Sequence, residues 1–354
     1  MVSSRRTGAA ALAAVSLLLS LPACAGGGHH PAAAPSTTGA VQHPVTTAPT
    51  TSTTVLGGPP FPLTGLPSGG SANIARPALS IKIDNAPSAR PQAGLQLADV
   101  VTEELVEGGL TRFFATYQSQ DAAKVGPVRS ARLVDADLLT QLGGGVFAFA
   151  GAAAGVLGPV RARSGAVLVD DTTAPQAFYR APGHPAPSNL YTSTAALYLA
   201  GSRPGMAAPP PLFTYSATAP AGAPTANMTL RFSSASVISW RALATGGYQR
   251  LQNGFPAVDE DGSPVTADNV VVLSVAVGHS GIYDAAHNES PLVIVTGTGA
   301  AWVLRDGTVS VGRWTRPDDA SALALTAADG TTMALHPGRT WVELLPLPAA
   351  PSLG

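Results

Sequence analysis

The sequence predicts an α+β protein in which an N-terminal mixed α/β domain precedes a mainly antiparallel β domain. Residues 61–203 combine strand-like alternation with one stretch of helical spacing. A proline-rich linker follows at 204–224, and residues 225–347 consist almost entirely of short strand-like runs separated by turn signals. A body of about 300 residues can bury a large hydrophobic core, so it needs no disulfide bonds to fold.

Residues 1–24 have the pattern of a signal peptide. Arg5 and Arg6 precede an apolar run, 9–21, that is shorter than the roughly 20 residues needed to cross a bilayer. Cys24, the single cysteine of the chain, directly follows Leu-Pro-Ala. This junction resembles the lipobox of bacterial lipoproteins, which implies that Cys24 is diacylated and holds the protein at the outer face of the cytoplasmic membrane. Two acyl chains suffice for stable anchoring.

The next segment, 25–60, consists mainly of Ala, Gly, Pro, Thr and Ser, and it is predicted to be a disordered stalk because it has too little apolar surface to offset ordering. The whole chain has 20 basic and 21 acidic residues, for a net charge of -1. This balance leaves no positive surface of the kind that binds nucleic acid, so we expect no nucleic-acid partner.

The elements of the first domain follow from residue periodicity. An alternating run at 78–83 predicts a strand, and runs at 99–106 and 111–117 predict a hairpin that turns at Gly108 and Gly109. The apolar spacing within 130–142 predicts a helix, which three glycines end before another strand at 146–150. Helix and strands together indicate a mixed α/β domain.

The second domain is predicted to be a sheet, sandwich or barrel. Strand-like runs occur at 228–232, 270–273, 292–295, 301–304 and 340–344. Asp261-Gly262, Asp306-Gly307 and Asp329-Gly330 are strong hairpin signals. Because the proline-rich linker looks like a boundary, a fragment spanning 61–201 is expected to unfold cooperatively by itself if its interface with the second domain is modest.

Several strings in both domains resemble the YerB-like lipoprotein family. The first domain carries Ala-Arg-Pro-Gln-Ala-Gly-Leu at 89–95, Gly-Pro-Val-Arg-Ser-Ala-Arg at 126–132 and Asn-Leu-Tyr-Thr at 189–192. The second carries Gly-Thr-Gly-Ala at 297–300 and Gly-Arg-Trp-Thr-Arg at 312–316. The resemblance spans residues 61–346 and implies the two-domain architecture without implying an activity. Ser188 departs from the family pattern, which often has histidine there.

The arginines of these strings are the candidate functional residues. A planar guanidinium binds phosphate or carboxylate in bidentate geometry, so several arginines in one cleft would form an anion site. The alternative, which we favour slightly, is that the arginines pair with nearby carboxylates inside the fold. Since neighbouring strand residues face opposite sides, Glu103 and Glu104 cannot both neutralise one cluster. The predicted site comprises Arg90, Arg112, Arg129, Arg132, Glu104, Glu107, Asn189 and Tyr191.

The leading functional interpretation is a non-catalytic envelope lipoprotein that binds an anionic wall component or a protein partner. No cofactor is expected, because the chain lacks metal-protease, nucleophile-elbow and phosphate-loop motifs. One alternative is an enzyme: the strand with Asp99 and the turn with Pro127 and Arg129 are similar to the LytR-CpsA-Psr enzymes, which implies transfer or hydrolysis of phosphate-linked glycans with a divalent metal. Another alternative is a structural scaffold without a small ligand.

Overall fold

The computed structural model describes residues 57–354, so the predicted signal peptide with Cys24, and the stalk up to residue 56, lie outside the described residues. The predicted mixture of strands and few helices is confirmed. The helices are α1 (Val134–Gln141), α2 (Leu157–Ser164) and α3 (Thr194–Gly201), and short 3-10 helices occur at Ala72–Ala75, Pro87–Ala89, Leu95–Leu97, Glu107–Gly109 and Pro175–Ala177.

The strands follow one another from β1 to β20. They are β1 (Leu79–Asp84), β2 (Val100–Leu105), β3 (Thr111–Tyr117), β4 (Val146–Phe149), β5 (Val167–Asp170), β6 (Phe178–Arg180), β7 (Leu190–Thr192), β8 (Ala223–Pro224), β9 (Asn227–Arg231), β10 (Val237–Ala242), β11 (Tyr248–Gln252), β12 (Phe255–Pro256), β13 (Thr266–Ala267), β14 (Asn269–Tyr283), β15 (Glu289–Ile294), β16 (Gly297–Arg305), β17 (Thr308–Arg316), β18 (Ala324–Ala327), β19 (Thr340–Pro346) and β20 (Ser352–Leu353).

One large sheet of twelve strands organises the fold. Its order is β18-β17-β16-β14-β19-β2-β3-β1-β4-β5, with β15 added to β14 and β8 added to β17. Strand β19 is parallel to both β14 and β2, which places it between the two predicted domains. The hairpin β2–β3 is antiparallel, as the sequence predicts, and the structure also pairs β1 antiparallel with β3.

The two faces of this sheet carry different cores. On one face, Phe113 and Trp341 pack against Trp240 of the second sheet, β12-β11-β10-β9-β20 with β13, and α3 contributes Leu197. On the other face, α1 and α2 cover an apolar layer that includes Phe147. Alternation along each strand produces this division, since successive side chains point to opposite faces.

The linker 204–224 is part of the folded body. Phe213 is buried, Tyr215 donates its hydroxyl to the backbone oxygen of Leu63 at 2.5 Å, and β8 pairs with β17. The continuous sheet across β19 also makes the interface between the two segments extensive. The expectation that 61–201 unfolds cooperatively by itself required a modest interface, and this condition is not met, because the fragment would lose the strand that pairs with β2. Within residues 57–354, no helix is long and apolar enough to cross a membrane.

Candidate functional site

Three of the predicted arginines gather at one end of the strands β1, β2 and β3. Arg112 on β3 lies directly opposite Asp84 on β1 and Glu104 on β2, so all three side chains share one face of the sheet. Arg129 and Arg132 come from the loop between β3 and α1. Backbone bonds from Arg129 to Lys82 and from Ala150 to Arg129 hold this loop against β1 and the end of β4. We call Arg112, Arg129 and Arg132 the arginine cluster.

Two members of the arginine cluster are paired inside the protein. Arg129 Nε lies 3.0 Å from Asp84 Oδ2, and 26% of the Arg129 side chain remains exposed. Arg132 Nη2 donates to Glu107 Oε2, with both side chains almost buried. Burial alone raises the pKa of Glu107, but the hydrogen bond and charge of Arg132 lower it overall. The favoured prediction of structural pairing therefore applies to Arg129 and Arg132.

Arg112 has no such partner. Its residue is 8% exposed, and no carboxylate oxygen among residues 57–354 lies within ion-pair distance of its guanidinium. Nη1 donates to the backbone oxygen of Ser130 at 3.2 Å, while Nε has no hydrogen-bond partner in this part of the chain. Burial, followed by repulsion from Arg132, lowers the pKa of Arg112 to about 10. An unpaired, buried guanidinium is costly, so Arg112 is the group best suited to receive an anion.

The carboxylates that face Arg112 are already engaged elsewhere. Asp84 accepts from Arg129 and from the hydroxyl of Ser188, at 2.9 Å. Glu104 accepts from Lys82, which also lies 2.6 Å from Asp135 in a fully buried group. Burial raises the pKa of Glu104 to about 7 despite the charge of Lys82. The predicted Glu104 thus belongs to a buried ionic group behind the arginine cluster.

Arg90 lies on the other side of the sheet, so the prediction that it joins the arginine cluster is wrong. It donates to the side-chain and backbone oxygens of Asn85 at 3.0 and 2.6 Å. Asn85 in turn donates toward Glu103, which points to the face opposite Glu104. On that face, the guanidinium of Arg250 on β11 donates hydrogen bonds of 2.7, 2.9 and 3.2 Å to the carboxylate of Glu103. This buried pair joins the two predicted domains.

Asn189 and Tyr191 are also separate from the arginine cluster. Asn189 accepts from Arg180 at 2.6 Å on the exposed β6–β7 hairpin. The Tyr191 ring is buried and stacks on Tyr179 with ring centroids 6.2 Å apart. Lys124 lies over the same ring at 4.6 Å. Ser188, in the turn before β7, reaches Asp84, whereas Asn189 contacts Arg180 and Tyr191 belongs to a separate aromatic stack.

Sequence reasoning missed the residues that complete these groups, namely Asp84, Ser188, Lys82, Asp135 and Arg250. Two of these residues carry a signal in the sequence: Lys82, because a lysine in the middle of an apolar strand needs a buried partner, and Ser188, which stands where the family pattern often has histidine. In the structure the Ser188 hydroxyl donates to Asp84. The remaining groups come from distant parts of the chain, and no local spacing indicates that they meet.

Comparison with known proteins places this architecture in a family. Residues 63–206 match the N-terminal domain, and residues 228–342 the C-terminal domain, of the family described as "Protein of unknown function (DUF3048)". The chain belongs to the DUF3048 family. Both conserved segments of the DUF3048 architecture therefore occur here in the order that the resemblance implied.

A Bacillus subtilis relative agrees with the DUF3048 assignment. The protein named "Putative lipoprotein YerB" is 28% identical over 297 residues, which cover 80% of this chain and 86% of the relative. The crystal structure of YerB from the same organism superposes with a TM-score of 0.69 at 25% identity, covering 83% of this chain and 99% of that one. The predicted family resemblance and fold class are confirmed.

Proposed function

We propose that this protein is a membrane-anchored envelope lipoprotein that binds an anionic wall component, without catalysis, at the arginine cluster. The observation that carries this proposal is Arg112, a buried guanidinium whose neighbouring carboxylates are held by other cations. Of the two carboxylates that the three arginines contact, Asp84 pairs with Arg129 and Glu107 with Arg132, which leaves Arg112 without a contacting carboxylate among residues 57–354. Phosphate and carboxylate groups match the planar donor pattern of arginine.

Anchoring rests on the lipobox-like junction at Cys24 and on the lipoprotein named among the relatives. In this proposal the cysteine is diacylated and holds the folded body, residues 57–354, at the membrane surface. Such an arrangement suits a receptor for wall polymers, because two acyl chains suffice for stable anchoring.

The binding proposal is tested by isothermal titration of the mature chain in detergent micelles. Inorganic pyrophosphate serves as the defined probe, and solubilised acidic wall fragments serve as the polymer. Replacing Arg112 by glutamine should weaken binding by about tenfold or more, which corresponds to one lost charge-assisted contact of about 1.4 kcal/mol. Thermal stability should change little, because Arg112→Gln takes no partner from a carboxylate.

Two further arginine variants serve as controls for Arg112→Gln. Arg132→Gln removes the partner of Glu107, so it should lower the free energy of unfolding by about 3 kcal/mol or more. Arg161→Gln changes an exposed arginine of α2 and should alter neither binding nor stability. Absence of binding by the parent protein, or equal binding by the parent and Arg112→Gln, would refute the proposed site.

A further inference from the structure

A groove on the other side of the sheet is separate from the arginine cluster. It lies between the loop 85–92 and the β11–β12 hairpin with the residues that follow it, and its volume is about 480 Å³. This volume falls within the range of small-molecule sites, about 300–1,000 Å³. Arg90 and Gln252 contribute polar groups to the groove, and Phe255, Pro256 and Val258 contribute apolar ones.

The hydrogen bonds beneath the groove determine which polar atoms remain available. Gln252 Oε1 accepts from Asn85 Nδ2 at 3.0 Å and from Arg250 Nη2 at 2.7 Å. Asn85 Oδ1 accepts from Arg90 Nε and Gln92 Nε2. Because Arg250 and Arg90 can only donate, the orientations of both amides are determined by the network. Gln252 Nε2 is consequently a donor, and it has no partner among residues 57–354 although the residue is only 5% exposed.

Arg90 supplies a second source of unused donors. Its Nε and Nη2 bind Asn85, whereas Nη1 makes no hydrogen bond within the described chain. No carboxylate in residues 57–354 forms an ion pair with it, because Glu103 is held by Arg250. Burial, then repulsion from Arg250, lowers the pKa of Arg90. The groove therefore has spare hydrogen-bond donors and a spare positive charge.

The charges below the groove add to the same preference. Arg90 and Arg250 both lie near the Glu103 carboxylate, but within residues 57–354 only Arg250 is in ion-pair contact with it. The other carboxyl group below the groove, Glu343, accepts from the Trp240 indole at 2.7 Å. Arg90 therefore has no contacting counter-ion among the described residues, which favours an anionic group in the groove.

The groove also presents an apolar surface at its rim. Phe255 is 76% exposed and Val258 is 39% exposed, and both lie beside the polar floor. Two further prolines, Pro87 and Pro91, add rigid apolar surface from the facing loop. An apolar rim around a few convergent donors is the usual composition of a site for a small organic ligand. A saccharide fits less well, because its hydroxyl groups also need hydrogen-bond acceptors, whereas the unpaired nitrogens of Arg90 and Gln252 are donors.

We infer that this groove binds a small monocarboxylate with an apolar body, the carboxylate meeting Arg90 and the apolar part lying against Phe255. The site is distinct from the arginine cluster, which takes phosphate-like groups without an apolar wall. A carboxylate can accept from the unpaired Nη1 of Arg90, and burial of its apolar body against Phe255 adds hydrophobic stabilisation.

The test uses three related probes and ligand-observed NMR on the full mature chain. 3-Phenylpropionate has both the carboxylate and the apolar ring, 3-phenylpropionamide lacks the charge, and propionate lacks the ring. We expect 3-phenylpropionate to bind, and the other two to bind about tenfold more weakly or not at all. Binding of the amide as strongly as the acid, or no binding of the acid at millimolar concentration, would overturn the inference.

Variants locate the site and separate it from the proposed function. Phe255→Ala removes an exposed ring, so the protein should stay folded while affinity for 3-phenylpropionate falls about tenfold. Arg90→Gln should have a similar effect on affinity, and Leu199→Ala, at an equally exposed apolar residue of α3, should have none. Arg112→Gln should leave 3-phenylpropionate binding intact while it weakens pyrophosphate binding. Loss of phenylpropionate affinity in Leu199→Ala or Arg112→Gln, with Phe255→Ala unaffected, would place the ligand elsewhere.

Discussion

Replacing Arg250 by alanine is the sharpest test of how the two conserved segments are held together. Arg250 is 2% exposed, and its guanidinium forms an ion pair with Glu103, which is fully buried on β2. It also lies over the rings of Phe113 and Trp341, at 5.2 and 5.3 Å. The substitution therefore leaves the buried Glu103 side chain without its ion-pair partner and next to a second carboxyl group, Glu343.

The expected cost follows from this burial. Removing one partner of a buried ion pair costs about 3 to 5 kcal/mol, because the remaining charge keeps its desolvation penalty. At about 2 °C per kcal/mol for a chain of this size, the melting temperature should fall by roughly 6 to 10 °C.

Urea denaturation of the mature chain, followed by circular dichroism, measures this cost. The matched control is Arg163→Ala, because Arg163 also connects the two segments, through Asp319, but 39% of its side chain is exposed. An exposed pair contributes about 1 kcal/mol or less. The double variant Glu103→Gln with Arg250→Met removes both charges and should recover much of the lost stability.

A cost for Arg250→Ala no larger than that of the Arg163→Ala control would refute the reasoning. So would a double variant that is less stable than Arg250→Ala alone. Either result would mean that the segments are held by apolar packing around Trp240 and Trp341 and that the buried pair contributes little.

Three further predictions concern the pH dependence of stability, an N-terminal fragment and the lipid anchor. Burial raises the pKa of Glu104 in the folded state from 4.5 to about 7, so between these pH values the folded state binds a proton that the unfolded state releases. The free energy of unfolding should therefore fall as pH rises through this range. Urea titrations at several pH values should show this slope, and Glu104→Gln should flatten it. The fragment 61–201 should give no cooperative thermal transition, because β2 loses its pairing with β19, and a sharp transition would contradict this. Cys24→Ala should move the protein out of the membrane fraction with its body still folded, whereas unchanged detergent partitioning would contradict lipid anchoring.

Local patterns in the sequence predicted several of the individual elements, whereas α2 and α3 were not predicted. The alternation of 99–106 and 111–117 around two glycines predicted the β2–β3 hairpin, and Gly108 and Gly109 indeed adopt positive φ angles there. Asp306 and Gly307, likewise at positive φ, form the two-residue turn between β16 and β17. Strand alternation also predicted that Glu103 and Glu104 face opposite sides. These features depend on neighbouring residues, so they are visible without the fold.

Only the tertiary structure decided how the segments combine and which charges meet. The parallel pairing of β19 with β2 joins residues more than two hundred positions apart, as in Thr340 with Val100, and no turn or spacing marks it. Arg90 and Arg129 lie in loops, where no period tells which face a side chain will reach. The partner of each arginine then depends on which carboxylates the sheet brings within ion-pair distance. For this reason the sequence could predict which arginines are candidate site residues. Only the folded structure shows that Arg112 has no contacting carboxylate among residues 57–354.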